Sequence, residues 1–220
     1  MEHRMRESYL GQLLVASSTT TDPMYANGVC LIVHADETRV IGVMLNRPIE
    51  PNPEAFDAIL GETYSEKTAK QPRRFSTHAS KTEESETNSP CEDLKLPLPS
   101  RSLHFGGPLS GPIVALHQIR DYAEAETGDG IYVAAQKQHL VDLIRDENEP
   151  FRLIVGHLGW NTEDLNAEIT DGNWHVLPAN VDDVFSSASD MWSCVIRRAT
   201  NSSLAKWIGL PDANAVGELN

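Results

Sequence analysis

The sequence predicts an α/β protein of the α+β type, and three observations carry that reading. Two continuous apolar runs, residues 29–33 (VCLIV) and 39–45 (RVIGVML), flank a polar connection at 35–38, the pattern of a β-hairpin. Farther on, a strand at 131–135 (IYVAA), a helix at 138–145 (QHLVDLIR) and a strand at 151–155 stand in the order of a crossover unit. The stretch 151–185 then alternates strand, capped helix, glycine turn and strand, and its local signals agree with one another.

Taken in order, residues 10–16 (LGQLLVA) form a first strand and 17–21 a polar turn. Asp22-Pro23 opens a single helical turn, with Asp22 as N-cap. The hairpin follows, and Asn46-Arg47-Pro48 ends its second strand because proline has no ladder donor. Residues 54–60 (EAFDAIL) place Phe56, Ile59 and Leu60 on one helical face. Composition then shifts to Thr, Ser, Glu, Lys and Pro, so 62–100 reads as a flexible insertion into a single domain that spans 1–220. Order resumes with a strand at 103–105, a Gly106-Gly107-Pro108 bend and a strand at 113–117. Leu140, Leu143 and Ile144 mark the buried face of the 138–145 helix. In the central stretch Asn161 caps a helix with Asp164 at its third position, and Leu165 and Ile169 share a face. Gly172 takes the left-handed terminal position, and Pro178 stops the strand at 174–177. Ser189 or Asp190 caps a last helix with Trp192, Val195, Ile196 and Ala199 on one side, and 206–210 is a short apolar tail.

The formal net charge of −14 repels a phosphate backbone, and between Asp142 and Asp190 the acidic residues face only Arg145 and Arg152. No direct nucleic-acid binding is expected. The three cysteines, Cys30, Cys91 and Cys194, form no CxxC pair and fit free thiols in a reducing compartment. The first eighteen residues read as neither signal peptide nor anchor, and no apolar run reaches membrane-spanning length, so a cytoplasmic location is expected.

Chemistry-bearing motifs are few. The glycines of Gly106-Gly107-Pro108-Leu109-Ser110-Gly111 can present backbone N–H groups to an anion, yet no GxGxxG or GxxxxGK[ST] accompanies them. Ser110 has Pro108 where a nucleophile elbow needs glycine. None of the eight histidines lies in a metal-ligand spacing, and no metal or cofactor is expected. His157 and His175 flank the central helix, where a meeting in space would make a metal or acid/base pair, against the simpler reading of isolated histidines on half-buried strands. Glu163, Asp164 and Glu168 offer carboxylates on one helix, at whose start they also complement the dipole. Trp160 and Trp174 bracket that helix, and Trp160 is expected to be largely buried against Leu165, Ile169 and the strand that holds Trp174.

Three segments in order, 11–50 (GQLLVASSTTTDPMYANG and onward), 105–112 (FGGPLSGP) and 155–185 (VGHLGWNTEDLNAEITDGNWHVLPANVDDVF), resemble the YqgE/AlgH family of bacterial proteins. The resemblance covers most of the chain outside 62–100. His157-Leu158 stands where that family usually has Tyr-Ala, and Asp164 where it has Gln. The resemblance implies a single domain of mixed, largely antiparallel, partly barrel-like β-sheet surrounded by helices. It implies no catalytic set; the family is often labelled a transcriptional regulator. Two functions stay open. The first is a non-enzymatic cytoplasmic regulatory or interaction protein with an unidentified protein partner. The second is an enzyme or small-ligand binder whose site lies near Gly106, Gly107, His157, Gly159 and Trp160.

Overall fold

Asp36 sets the first hairpin. Its carboxylate accepts from the N–H groups of Thr38 and Arg39, each at 2.8 Å, and from the Thr38 hydroxyl. These bonds, the Thr38 N–H first, together with one from His34 Nε2 at 3.1 Å, hold its pKa well below the usual carboxylate range. The turn closes β2 (Val29–Ala35) on β3 (Arg39–Met44), as the two apolar runs predict, with a bulge between Ile32 and His34. The computed structural model describes residues 9–49, 103–128, 130–145 and 150–207, the side chains of 145 and 202–207 excepted. The helix expected at 54–60, the insertion expected at 62–100 and most of the tail expected at 206–210 lie outside the described residues.

β1 (Gln12–Ala16) pairs with β2 on one side and with β11 (Trp174–Pro178) on the other. β10 (Leu158–Asn161) pairs with β3, giving an antiparallel sheet of five strands in the order β10-β3-β2-β1-β11. The second sheet has six strands. They are β4 (Pro48–Ile49), β5 (Leu103–Phe105), β6 (Val114–His117), β7 (Ala125–Gly128), β8 (Ile131–Ala134) and β9 (Arg152–Val155), in the order β4-β5-β9-β6-β8-β7. Among the described residues only β5 and β9 pair in parallel. The fold is mixed α and β with largely antiparallel sheets, and neither sheet closes into a complete barrel. The strand at 125–128 escapes sequence reasoning because AETG carries no apolar alternation. β3 ends at Met44, before the expected Asn46-Arg47-Pro48 stop, and Pro48 instead starts the two-residue edge strand β4.

Helix α1 (Lys137–Arg145) carries the chain from β8 to β9 across the intervening β6, the expected crossover, and buries Leu140, Leu143 and Ile144. Helix α2 (Thr162–Thr170) follows β10, and α3 (Val181–Phe185) and α4 (Met191–Trp207) follow β11. The Asn180 side chain caps α3 by accepting from Asp183 N–H at 2.7 Å. Among the described residues no helix is long and apolar enough to cross a membrane.

The first sheet is buried on both faces, which is why its strands read as continuous apolar runs. Leu13, Val15, Leu31 and Val43 face one core with β6, β8, β9, α3 and α4. Leu14, Cys30, Ile32, Val40 and Leu158 face a second core under α2. Arg152 ties these layers together. Buried on β9, it donates to the carbonyls of Val184 at 2.5 Å, of Leu45 at 3.3 Å, and of Ser186. Its Nη1 also meets His104 Nε2 at 2.8 Å. A guanidinium only donates, so His104 accepts there and carries its proton on Nδ1. Burial lowers the Arg152 pKa to about 10, which leaves it charged at neutral pH.

Two outcomes test this framework. Arg152→Met strands three carbonyls and is expected to cost about 3 kcal/mol or more by urea unfolding. Arg152→Lys should recover only part, because an ammonium lacks the planar fork. The second concerns His117, a fully buried imidazole whose Nδ1 accepts from Ile119 N–H at 3.2 Å. Burial first, and the neighbouring His139 second, lower its pKa to about 4. Below about pH 6.5 the unfolded chain binds a proton that the folded chain refuses until about pH 4. Stability contributed by the neutral imidazole is therefore complete above that window and falls with falling pH, by at most about 1.4 kcal/mol per unit. His117→Asn keeps the acceptor and should flatten that part of the pH–stability curve.

Candidate functional site

The chain leaves the second sheet at the end of β9 and enters the first at β10, and Gly156 makes the corner with φ +75°. Here two backbones touch. A Cβ on Gly107 would lie 2.3 Å from the His157 carbonyl, and one on Gly156 would lie 2.2 Å from Gly107 O. Gly106 completes the junction by donating to Val155 O at 2.7 Å and accepting from Met44 N–H at 2.9 Å. Gly106 and Gly107 are buried, so they position the corner from behind. Leu109 then forms a bridge to His157, with both backbone bonds made, at 3.1 and 3.0 Å.

Beyond the corner lies an open cleft of about 830 Å³. It follows β10, an edge strand of the first sheet. Gly159 pairs opposite Ile41, and Asn161 opposite Arg39, so these four residues share one face. Leu109 and His157 join them in lining the cleft. Trp160 lies on the opposite face with Tyr25, Asp164 and Glu168 beside it. Gly42 makes room for the Trp160 ring: a Cβ there would sit 3.2 Å from its Cζ3 and 2.4 Å from Cys30 Sγ.

Glu168 organises this second face. Its Oε2 accepts from the indole N–H of Trp174 at 2.7 Å and of Trp160 at 3.3 Å. The two indoles meet edge to face, centroids 6.2 Å apart, and Tyr25 packs edge to face on Trp174 at 5.6 Å. Burial, with the charges of Glu168 and Asp22 adding to it, raises the Tyr25 pKa. Burial also pushes the Cys30 thiol up, which makes it an inert core residue. The helix that carries Glu168 ends as the sequence predicts. Gly172 has φ +78°, and Gly172 and Asn173 donate to Ile169 and Glu168 carbonyls.

Of the residues singled out from sequence, His157, Gly159 and Trp160 come together in the cleft, while Gly106 and Gly107 form its backing. Three details differ from expectation. Trp160 is half-buried, and Trp174 is the buried anchor at 4% exposure. Asn161 stands at the N-cap position, but its side chain donates to Asp164 Oδ2 at 3.1 Å and makes no capping bond. His157 and His175 do not meet, because β10 and β11 are the opposite edges of a five-stranded sheet. Four strand spacings separate those edges, about 19 Å. Tyr25, Arg39 and Ile41 were missed; their apolar or turn contexts carry no sign of a cleft. Among the described residues no group of three or more His, Cys, Asp or Glu is arranged to hold a metal ion.

Residues 13–203 match the AlgH-like (DUF179) family profile. A UPF0301 protein of Thermobifida fusca is 29% identical over 198 residues, covering 89% of each chain. One of Chlorobaculum tepidum is 26% identical over 194 residues, covering 85% of this chain and 84% of its own. The crystal structure of a Corynebacterium diphtheriae protein aligns with a TM-score of 0.59 at 21% identity, over 90% of both chains. The solution structure of the AlgH protein from Pseudomonas aeruginosa aligns with a TM-score of 0.54 at 16% identity, over 100% of this chain and 99% of that one. At these identities the structural likeness carries the fold alone.

The difference in burial between the two tryptophans has a measurable consequence. Trp174→Ala should cost about 3–5 kcal/mol, the usual loss for a large core aromatic. Trp160→Ala should cost less, about 1–2 kcal/mol. Urea unfolding of the two purified variants checks the order, and equal losses would place both rings in the core.

Proposed function

The chain belongs to the AlgH-like family, and from that premise we propose that it is a non-enzymatic cytoplasmic regulatory protein that works by binding another protein. The cleft along the β10 edge carries this reading. It is open, it holds the half-buried Trp160, and Leu109 stands beside it at 47% exposure. Aromatic and aliphatic side chains half withdrawn from water at a strand edge suit a protein surface. The charge of −14 supports regulation through a protein partner, because a phosphate backbone is repelled.

Position 109 offers a direct test. A photocrosslinking amino acid there should trap a discrete protein in living cells, and the same group at Glu126 on the second sheet should not. Indistinguishable products from the two positions would count against the cleft. In parallel, fluorescence anisotropy with duplex DNA at physiological salt should show no saturable binding. Sub-micromolar, salt-sensitive affinity would overturn the proposal that DNA is not touched.

A further inference from the structure

We propose that the cleft takes an extended, lysine- or arginine-bearing segment of the partner, added as a strand to β10; this rests on the interaction reading above and specifies its occupant. The backbone sets the geometry. Thr162 N–H bonds to Thr38 O at 3.2 Å, so residues 158, 160 and 162 direct their backbone groups toward β3. Residues 157, 159 and 161 therefore direct theirs outward. Leu109 satisfies His157 on that side. The chain before Leu109 turns back to the Gly106-Gly107 corner, so this bridge goes no farther along the edge. Gly159, exposed, is left with its N–H and C=O facing the cleft and unbonded among the described residues, a piece of sheet edge of the kind that accepts a strand. Glycine within a strand also marks places where another backbone comes close.

The side chains select the occupant. A residue placed opposite Gly159 would lie on the face of Ile41 and Leu109, where an apolar group fits. Its two neighbours would lie on the face of Trp160, Asp164 and Glu168. Asp164 and Glu168 are one helical turn apart on α2, an arrangement of like charges that disfavours the helix. Neither makes an ion pair among the described residues. Glu168 gives Oε2 to both indoles, leaving Oε1 unengaged among the described residues. A cation there gains two carboxylates and the π-face of Trp160. Arg39 sits on the opposite face, and Asn161, next to it in register, turns its amide to Asp164 Oδ2 at 3.1 Å. The charge complement is thus confined to one side of the added strand, which predicts alternation of apolar and cationic residues.

The test uses the full-length protein and a fluorescein-labelled peptide, Thr-Lys-Val-Lys-Thr, in an anisotropy titration. Its central valine would face Gly159, and a lysine would face Trp160 in either strand direction. Saturable binding is expected. The glutamate counterpart, Thr-Glu-Val-Glu-Thr, should not bind, and N-methylation of the valine amide should weaken binding about tenfold, the worth of one good hydrogen bond. Asp164→Asn and Glu168→Gln should each weaken it about tenfold, whereas Glu126→Gln should leave it unchanged. Glutamine at 168 retains an acceptor for both indoles, and circular dichroism confirms that the variants are folded. Equal binding of the two peptides, or affinity unchanged in the double variant that combines Asp164→Asn with Glu168→Gln, would overturn the proposal. Displacement by spermidine together with insensitivity to N-methylation would also overturn it, in favour of a free small cation. A change in sedimentation of the unliganded double variant would overturn it in favour of a second copy of the chain. A crosslink through position 109 that persists while the lysine peptide fails would overturn the cationic strand and leave the interaction surface standing. Peptide binding without any cellular crosslink would count against the wider reading instead.

Discussion

The buried guanidinium of Arg152 is the constraint on which the two sheets depend. It sits on β9, inside the second sheet, and reaches Leu45 at the end of β3 and the carbonyls that end α3. The Val184 and Leu45 carbonyls are bonded in the buried interior, where an unsatisfied acceptor is costly. One side chain supplies donors in several directions from a rigid plane. His104 adds an uncharged acceptor without neutralising the cation. The arrangement therefore joins β3, β5, β9 and the α3 terminus at one point, and it does so with polar bonds that demand particular geometry. The apolar contacts around it tolerate more variation.

From that junction the chain runs along β9 to Gly156 and turns into β10. The corner works because three glycines leave no Cβ between crossing backbones. It also determines where pairing stops. The segment that carries Leu109 can reach His157 and then must retreat, because Gly107 is pressed against the His157 carbonyl. A close packing contact on one side of the corner thus produces an open strand edge on the other. The same stretch whose glycines resemble a ligand loop in sequence serves here as the support of a surface.

The central helix shows how a structural motif comes to line a cleft. Leu165 and Ile169 bury one side of α2, and the glycine cap at its end turns the chain into β11. That packing places Glu168 between two indole N–H groups and leaves Asp164 facing the cleft. Trp160 is neither wholly core nor wholly platform. One edge meets Trp174 and its N–H is satisfied, and its remaining surface lines the cleft.

The linear sequence determined the elements with strong local signals: the Asp36 hairpin, the crossover through α1, the Gly172 cap and the buried stripe of α1. Each depends on neighbours within a few residues, and backbone sterics and apolar periodicity act at that range. It also marked His157, Gly159 and Trp160, which are contiguous enough to be noticed together. Tertiary structure alone decided that β10 is an edge, since strand order follows from long-range pairing that no local pattern encodes. For the same reason it alone brought Tyr25, Arg39 and Ile41 to the cleft and kept His157 and His175 at opposite edges of the sheet. It likewise gave Arg152, an ordinary charge in an acidic stretch of sequence, its place between the sheets, because burial and partners are properties of the assembled layers.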